Sequence, residues 1–393
     1  MVAITDQPST PGVCHLRRRA GTNSAELAAV AMLAIICSAA SVAAKEEPLP
    51  GVTETELSEA GNSSNPVPSP DGKRIACVRL AWGREGGSGG YGVSNLITDA
   101  LVLDSSGKLL TPKPLADAYL FGWTKDGTKL ILFRDWDYFL VDVAGVKSER
   151  VRQTGDDSMV RSERCGYLMN SNEFIWARHI IKARERINNG ETLEFSGTRI
   201  ESGKRVLLET DIMLDHVVPS PDEQHVAGFR SVGMFGRIQM WVYNVAQKSR
   251  AEFGDIAIDP FGGWADSWDP WLPDGRLLIA SGKEVAVHAP DGKDKKVIAT
   301  LPARTGLPVL SPDQKRVAFL TWSGTAQESP GTTMYVMDFS EGAKPTAVTA
   351  RYREFTRGLK WLDAATLVFD RYVPGERRQA PTSKLIKLAL PRN

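Results

Sequence analysis

The chain is poor in the residues that build metal centres and covalent frameworks. Its 393 residues include only 4 cysteines and 5 histidines. His179, His216, His225 and His288 stand far apart, so neither a zinc cluster nor a histidine-based triad has its material within one segment. No metal and no cofactor are expected. An excess of charge of one sign is lacking too. Lys+Arg 48 against Asp+Glu 47 gives a net charge of +1, which argues against nucleic acid held by bulk charge. Beyond residue 44 no stretch of useful length carries the 3.6-residue periodicity of an amphipathic helix. What is present is ample apolar material (42%) and 35 glycines with 23 prolines, the means for a large core broken by many turns.

The N-terminal 44 residues read as an export signal. Arg17, Arg18 and Arg19 precede an uncharged apolar run, Leu27–Ala44, which ends in the small residues Val42-Ala43-Ala44 before Lys45. Cleavage there predicts a periplasmic or extracellular protein with no membrane segment; an uncleaved anchor is the rival reading. Residues 1–44 take Arg17–Arg19, Asp6 and Glu26 with them, leaving 48 − 3 = 45 basic and 47 − 2 = 45 acidic side chains. Of the cysteines, Cys77 and Cys165 remain. They stand in different repeats and are expected to be separate buried thiols.

Residues 45–393 form one domain built from a repeat. The segments 68–80, 123–134, 168–178, 219–230, 271–281, 310–322 and 361–371 are seven copies of a turn followed by a β-run. Their turn residues, Asp71, Asp126, Asn170, Asp222, Asp274, Asp313 and Asp363, are spaced by 55, 44, 52, 52, 39 and 50 residues. Proline presets the turn, Asp bonds its own backbone and Gly accepts positive φ. Each copy continues into a second run that ends at an acidic or amide residue, as in DALVLDSSG (99–107) and TMYVMDFSEG (333–342). A short final run follows in several copies. A four-stranded meander repeated at this spacing predicts an all-β propeller of seven blades, with six as the runner-up. A closed ring has no free sheet edge, and Val52–Leu57 is expected to supply the last blade's outer strand.

The segments Ser69–Ala76 (SPDGKRIA) and Ser311–Ala318 (SPDQKRVA) resemble the WD40-like repeat (PD40) of the translocation protein TolB and of the propeller in dipeptidyl-peptidase-IV-type proteases. The resemblance covers about residues 50–393. It implies fold strongly and function weakly. Copies three and seven depart from it, with Asn170-Ser171-Asn172 and Asp363-Ala364-Ala365 in place of the Pro-Asp-Gly turn. No separate α/β hydrolase domain and no N-terminal α/β domain is expected in the chain, so the protease and TolB roles do not carry over.

Loop lengths locate the working face. The turns inside each repeat are tight, whereas the other connections (81–97, 179–192, 231–237, 254–268, 322–332, 351–358 and 372–383) are long and would share one end. Eight residues after the turn residue, five copies carry arginine: Arg79, Arg134, Arg178, Arg230 and Arg371. One reading pairs each guanidinium with a carboxylate of a neighbouring strand; the other makes them a girdle that captures anionic groups. Trp136, Trp264, Trp268 and Trp322 are candidate stacking platforms, and equally candidate fillers of the wedges between blades. Segment 254–271 combines Asp255, Asp259, Asp266 and Asp269 with three tryptophans, yet matches no known calcium loop. The G-x-S-x-G match at 86–90 lies in a glycine-rich stretch with no helix after it, which is against a nucleophile elbow. The composite expectation is a monomeric, non-catalytic module that binds a protein, peptide or glycan. A lyase or glycoside hydrolase at the pore mouth is the alternative.

Overall fold

The computed structural model describes residues 50–82, 96–111, 115, 119–134, 137–143, 147–152, 165–167, 174–187, 190–202, 205–232, 237–258, 268–301, 305–306, 308–323, 331–349, 355–373 and 382–391. Apart from a 3-10 turn at Ser58–Ala60, every regular element among them is a β-strand. The strands fall into seven antiparallel sheets, each a meander of neighbours in sequence.

Sheet one is Ser63–Pro68, Arg74–Trp82 and Leu96–Asp104; sheet two is Tyr119–Trp123, Lys129–Arg134, Asp137–Asp142 and Ser148–Arg152. Sheet three is Cys165–Tyr167, Phe174–Ile187, Gly190–Ser202 and Arg205–Thr210. Sheet four is His216–Pro219, His225–Val232, Arg237–Asn244 and Ser249–Ile258. Sheet five has Leu277–Ser281, Glu284–His288 and Lys295–Thr300, with its first strand reduced to a bridge from Trp271 to Leu277. Sheet six is Val309–Leu310, Arg316–Ser323, Gly331–Asp338 and Thr346–Ala347.

Sheet seven closes the ring. Phe355–Asp363, Thr366–Val373 and Thr382–Ala389 are completed by the N-terminal strand Thr53–Glu56, in the register Thr53↔Ala389 to Glu56↔Ile386. Leu57 follows, buried, with its N–H donating to the Leu385 carbonyl at 2.9 Å. The expected clasp is therefore present.

Among the described residues apolar clusters fill six of the seven gaps between successive sheets, burying strands on both faces, as their continuous apolar runs require. First strands of successive sheets touch: Cys165–Tyr167 meets His216–Pro219, and Ser63–Pro68 meets Phe355–Asp363. They surround the axis, while later strands lie further out. Cys77 is buried as a free thiol, and loss of water pushes its pKa up to about 12.

The repeated turn is a self-contained bonding unit. In sheets one, four and six the serine hydroxyl donates to the Asp two residues on: Ser69 to Asp71 at 2.6 Å, Ser220 to Asp222 at 2.5 Å, Ser311 to Asp313 at 2.6 Å. The same hydroxyl accepts the N–H of Arg74, His225 or Arg316 at 2.9–3.0 Å. Thr124 plays this part in sheet two. The hydroxyl bonds hold the carboxyls of Asp71, Asp126 and Asp313 below the usual range. Gly72 and Gly127 follow at positive φ, and so do Glu223 (58°) and Gln314 (59°) in the copies that lack glycine. The bonded turn imposes the conformation whatever residue occupies it.

A second regularity joins sheets in pairs. The indole N–H of Trp123 donates to the Val67 carbonyl at 2.8 Å, that of Trp271 to Val218 at 3.0 Å, and that of Trp361 to Val309 at 3.0 Å. Each bond runs from the first strand of one sheet to that of the preceding sheet, tying one to two, four to five and six to seven. Each ring also faces the residue three beyond the neighbouring turn Asp: Arg74 at 5.0 Å, His225 at 6.3 Å, Arg316 at 5.3 Å.

One expected loop differs. Residues 179–192 are largely strand: 174–187 and 190–202 pair along their length, Arg186 opposite Glu191, with a bulge near Ile181–Ala183. Asn188 and Asn189 lie outside the described residues; followed by Gly190, they are the tight-turn signal in the sequence that outweighs the length of the connection.

Candidate functional site

Strand direction places the tight turns at one end of the sheets and the long connections at the other. Most of the latter (83–95, 153–164, 259–267, 324–330, 351–354 and 374–381) lie outside the described residues, as do Trp136 and Trp264. What is described is the rim of strand ends from which they spring.

The arginines at that rim have separate fates. Arg79 stands opposite Asp99 in register, and their side chains form an ion pair at 2.9 Å within sheet one. Arg371 is buried, its side chain 9% exposed, and pairs with Glu54, 7% exposed, of the N-terminal strand. That contact links the start of the domain to its last sheet, so Arg371 belongs to the clasp. Arg230 is exposed on sheet four opposite Gln239, with no ion pair among the described residues. Arg134 and Arg178 have their backbone in strands, Lys129–Arg134 and Phe174–Ile187; their side chains lie outside the described residues. Where pairing is seen it joins strands within one sheet, and the two paired guanidiniums are not a free girdle.

The tryptophans divide likewise. Trp268 is buried, donates its N–H to the Pro308 carbonyl at 2.9 Å and packs on Phe229 at 5.5 Å between ring centres. It fills a wedge between sheets, and its faces are not offered to a ligand. Trp322 lies on Arg316–Ser323 opposite Thr332, its side chain outside the described residues.

Of the four carboxylates in segment 254–271, two are described, Asp255 and Asp269. Asp255 accepts from Gln239 at 3.1 Å on the outer strand of sheet four, whereas Asp259 and Asp266 lie outside the described residues. Among the described residues no group of three or more His, Cys, Asp or Glu side chains could hold a metal ion.

Asp269 is the member of that segment with a distinctive setting. It lies two residues past the connection 259–267 and two before Trp271, the bridge that stands for the first strand of sheet five, between buried Trp268 and Pro270. Its Oδ1 accepts the Trp271 N–H at 2.9 Å. The carboxylate is exposed, yet protein crowds it. Loss of surrounding water is the main cause that pushes its pKa up to about 6, with the Trp271 N–H and the Lys360 charge pulling it down. Lys360, half-buried on the first strand of sheet seven, is lowered to about 8 by the same loss of water, against the Asp269 charge. Two opposite charges attract each other, Asp269 ahead of sheet five and Lys360 on the first strand of sheet seven. Asp269 was visible in the sequence only as one of four carboxylates, and nothing in the repeat marked Lys360.

No family model and no curated protein matches the chain. Among solved structures, it is similar to the acylaminoacyl peptidase of Pyrococcus horikoshii at 12% identity and a TM-score of 0.50, over 81% of this chain and 50% of that one. TolB from Acinetobacter baumannii matches at 14% identity and a TM-score of 0.35, over 73% and 67%. The tricorn protease matches at 14% and 0.35, over 82% and 30%. The likeness is one of fold. The chain spans half of the acylaminoacyl peptidase and less than a third of the tricorn protease. Among the described residues, no helix is long and apolar enough to cross a membrane.

Proposed function

We propose that this chain is an exported binding module that holds a protein or peptide partner at its loop-rich end and catalyses no reaction. The observation that carries the reading is a contrast between the two ends. At the tight-turn end the groups of the repeated turn are satisfied internally: Ser69, Thr124, Ser220 and Ser311 bond the turn carboxylates, and those carboxylates accept backbone N–H groups two residues on at 2.9–3.3 Å. At the other end Arg230 and Asp269 are exposed and in no ion pair among the described residues. A polar rim of both signs around a rigid scaffold suits an extended chain with charged side chains or termini. Export rests on the segment 1–44, whose apolar run and small-residue exit are as described above.

The test is directional. A photo-crosslinking residue is placed at Arg230 or Asp269 in the full chain, and in separate proteins at Asp291 or Glu341 in the tight turns. In cells of the source organism, discrete protein adducts are expected from the first pair and not the second. Adducts from the turn end alone, or equal labelling from both ends, would overturn the reading.

A further inference from the structure

A site of a different kind lies at the outer rim, where sheet three meets sheet four. A pocket of about 620 Å³ opens there, between the outermost strand Arg205–Thr210 and the segment Lys248–Arg250. Its volume is in the range of pockets that take small organic molecules. We infer that it binds a small amphiphilic carboxylate, an aryl or acyl chain ending in one anionic group.

The apolar part is built by a bulge. Val206, Leu207 and Leu208 all line the pocket, although successive residues of a regular strand point to opposite faces. Pairing skips from Ile200↔Leu208 to Glu201↔Val206, so Leu207 is an extra residue and the strand turns three apolar neighbours toward one space. Val206 is 51% exposed, and the buried Tyr243 also lines the cavity. A bulged outer strand is also a poor template for strand addition, which favours a compact ligand over a peptide strand.

The polar part has donors to spare. The Tyr243 and Thr210 hydroxyls bond each other at 3.1 Å, and Arg250 reaches Thr210 and Asp211 through Nη1 alone. Arg250 also acts on the Tyr243 hydroxyl, and among the described residues its only ion pair is the one with Asp211 through Nη1. Glu209 is engaged by Arg199 at 2.6 Å. Glu252 also lies near Arg250. Lys248 stands on the same rim with no ion pair among the described residues. With the lining acids engaged by arginines, the cationic groups left facing the space are the Lys248 ammonium and the part of the Arg250 guanidinium, 44% exposed, that Asp211 does not cover, the pair that recognises a carboxylate.

The probes are 4-phenylbutyrate, 4-phenylbutanol and 4-phenylbutylammonium, titrated calorimetrically into the full chain. Phenylbutyrate is expected to bind one saturable site about tenfold more tightly than the alcohol, as one charge-assisted hydrogen bond implies. Lys248→Asn suits the left-handed φ of 50° at that position and should leave the melting temperature unchanged. It should weaken the carboxylate about tenfold and leave the alcohol alone. Val206→Asp, at an exposed position, should abolish both. Absence of saturable binding, tighter binding of the ammonium, or affinities untouched by both variants would overturn the assignment. Crosslinking from the loop-rich end does not bear on this site, so the two readings fail separately.

Discussion

Trp361→Phe isolates the bond between sheets six and seven. The substitution keeps an aromatic ring in the seam but removes the N–H that meets the Val309 carbonyl at 3.0 Å. A carbonyl left without its donor costs about 1–3 kcal/mol when buried, and the Val309 carbonyl, part-buried, belongs toward the lower end. The space vacated by the smaller ring adds about 1 kcal/mol, because Trp361 is buried among Leu359, Leu367 and Ile386. Arg316 sits 5.3 Å over the indole, a cation–π contact of about 0.5–1 kcal/mol that phenyl keeps only in part. The sum is a loss of about 2–4 kcal/mol, read as a lower midpoint in urea with an unchanged slope. A double-mutant cycle with Arg316→Met should return a coupling of about 0.5–1 kcal/mol, and the same cycle at Arg74 and Trp123 should agree. At His225 and Trp271 the rings are 6.3 Å apart and tilted, so the coupling there should be smaller. A cost for Trp361→Phe within about 0.5 kcal/mol, the range of neutral surface changes, would refute the staple as a stabilising element.

Gln314→Gly should raise stability by about 0.5 kcal/mol in urea unfolding, since relief of left-handed strain exceeds the added chain entropy. Gly72→Ala at the matching position should do the reverse by more than about 1 kcal/mol, because its Cβ would lie 2.4 Å from the Leu362 carbonyl oxygen. Leu57→Ala, in the clasp, should cost about 2–5 kcal/mol and raise proteolytic cleavage near the N-terminus. The pKa of Asp269 is higher folded than unfolded, so its protonation favours the fold. Its contribution is complete below about pH 4 and lost as pH rises toward about 6. Asp269→Asn should remove that slope from the pH profile of the melting temperature; an unchanged profile would place the carboxylate in ordinary solvent.

Much of the architecture was legible because one chemical unit recurs. The serine or threonine, the Asp and the positive-φ residue bond locally, so Ser69–Asp71 and Ser311–Asp313 announce their turns with no knowledge of the neighbours. The closing strand followed from the need to pair a free edge, and Thr53–Glu56 meets it. The site was less legible because it depends on relations between repeats. Arg79 and Arg371 occupy the same repeat position, yet one pairs across its own sheet and the other joins the N-terminal strand. Nothing local separates these outcomes. Trp268 looked like a loop aromatic until the closeness of Phe229 and Pro308 made it a filler. Lys360 and Asp269 lie about ninety residues apart in the chain and acquire a relation only when the first strands gather round the axis.

The rim pocket opens where the repeat lapses. A staple needs a valine carbonyl on one first strand and an indole at the corresponding site on the next. Sheets one and two, four and five, and six and seven meet this requirement. Sheet four carries Pro219 at the place where sheets two and five carry Trp123 and Trp271, and the third copy's turn, Leu168-Met169-Asn170, has neither the Ser-Pro-Asp sequence nor the tryptophan. Without an indole to draw the inner strands together, the seam between sheets three and four is packed instead by Leu208, Leu214, Trp241 and Tyr243. These reach the seam from several strands, including the outermost strand of sheet three. Leu208 and Tyr243 thus form both the end of the core and the wall of the cavity. The bulge at Leu207 keeps the outer strand from closing over it. Radial sheets diverge outward, so the room left in this seam opens at the rim, and the 620 Å³ pocket is found there.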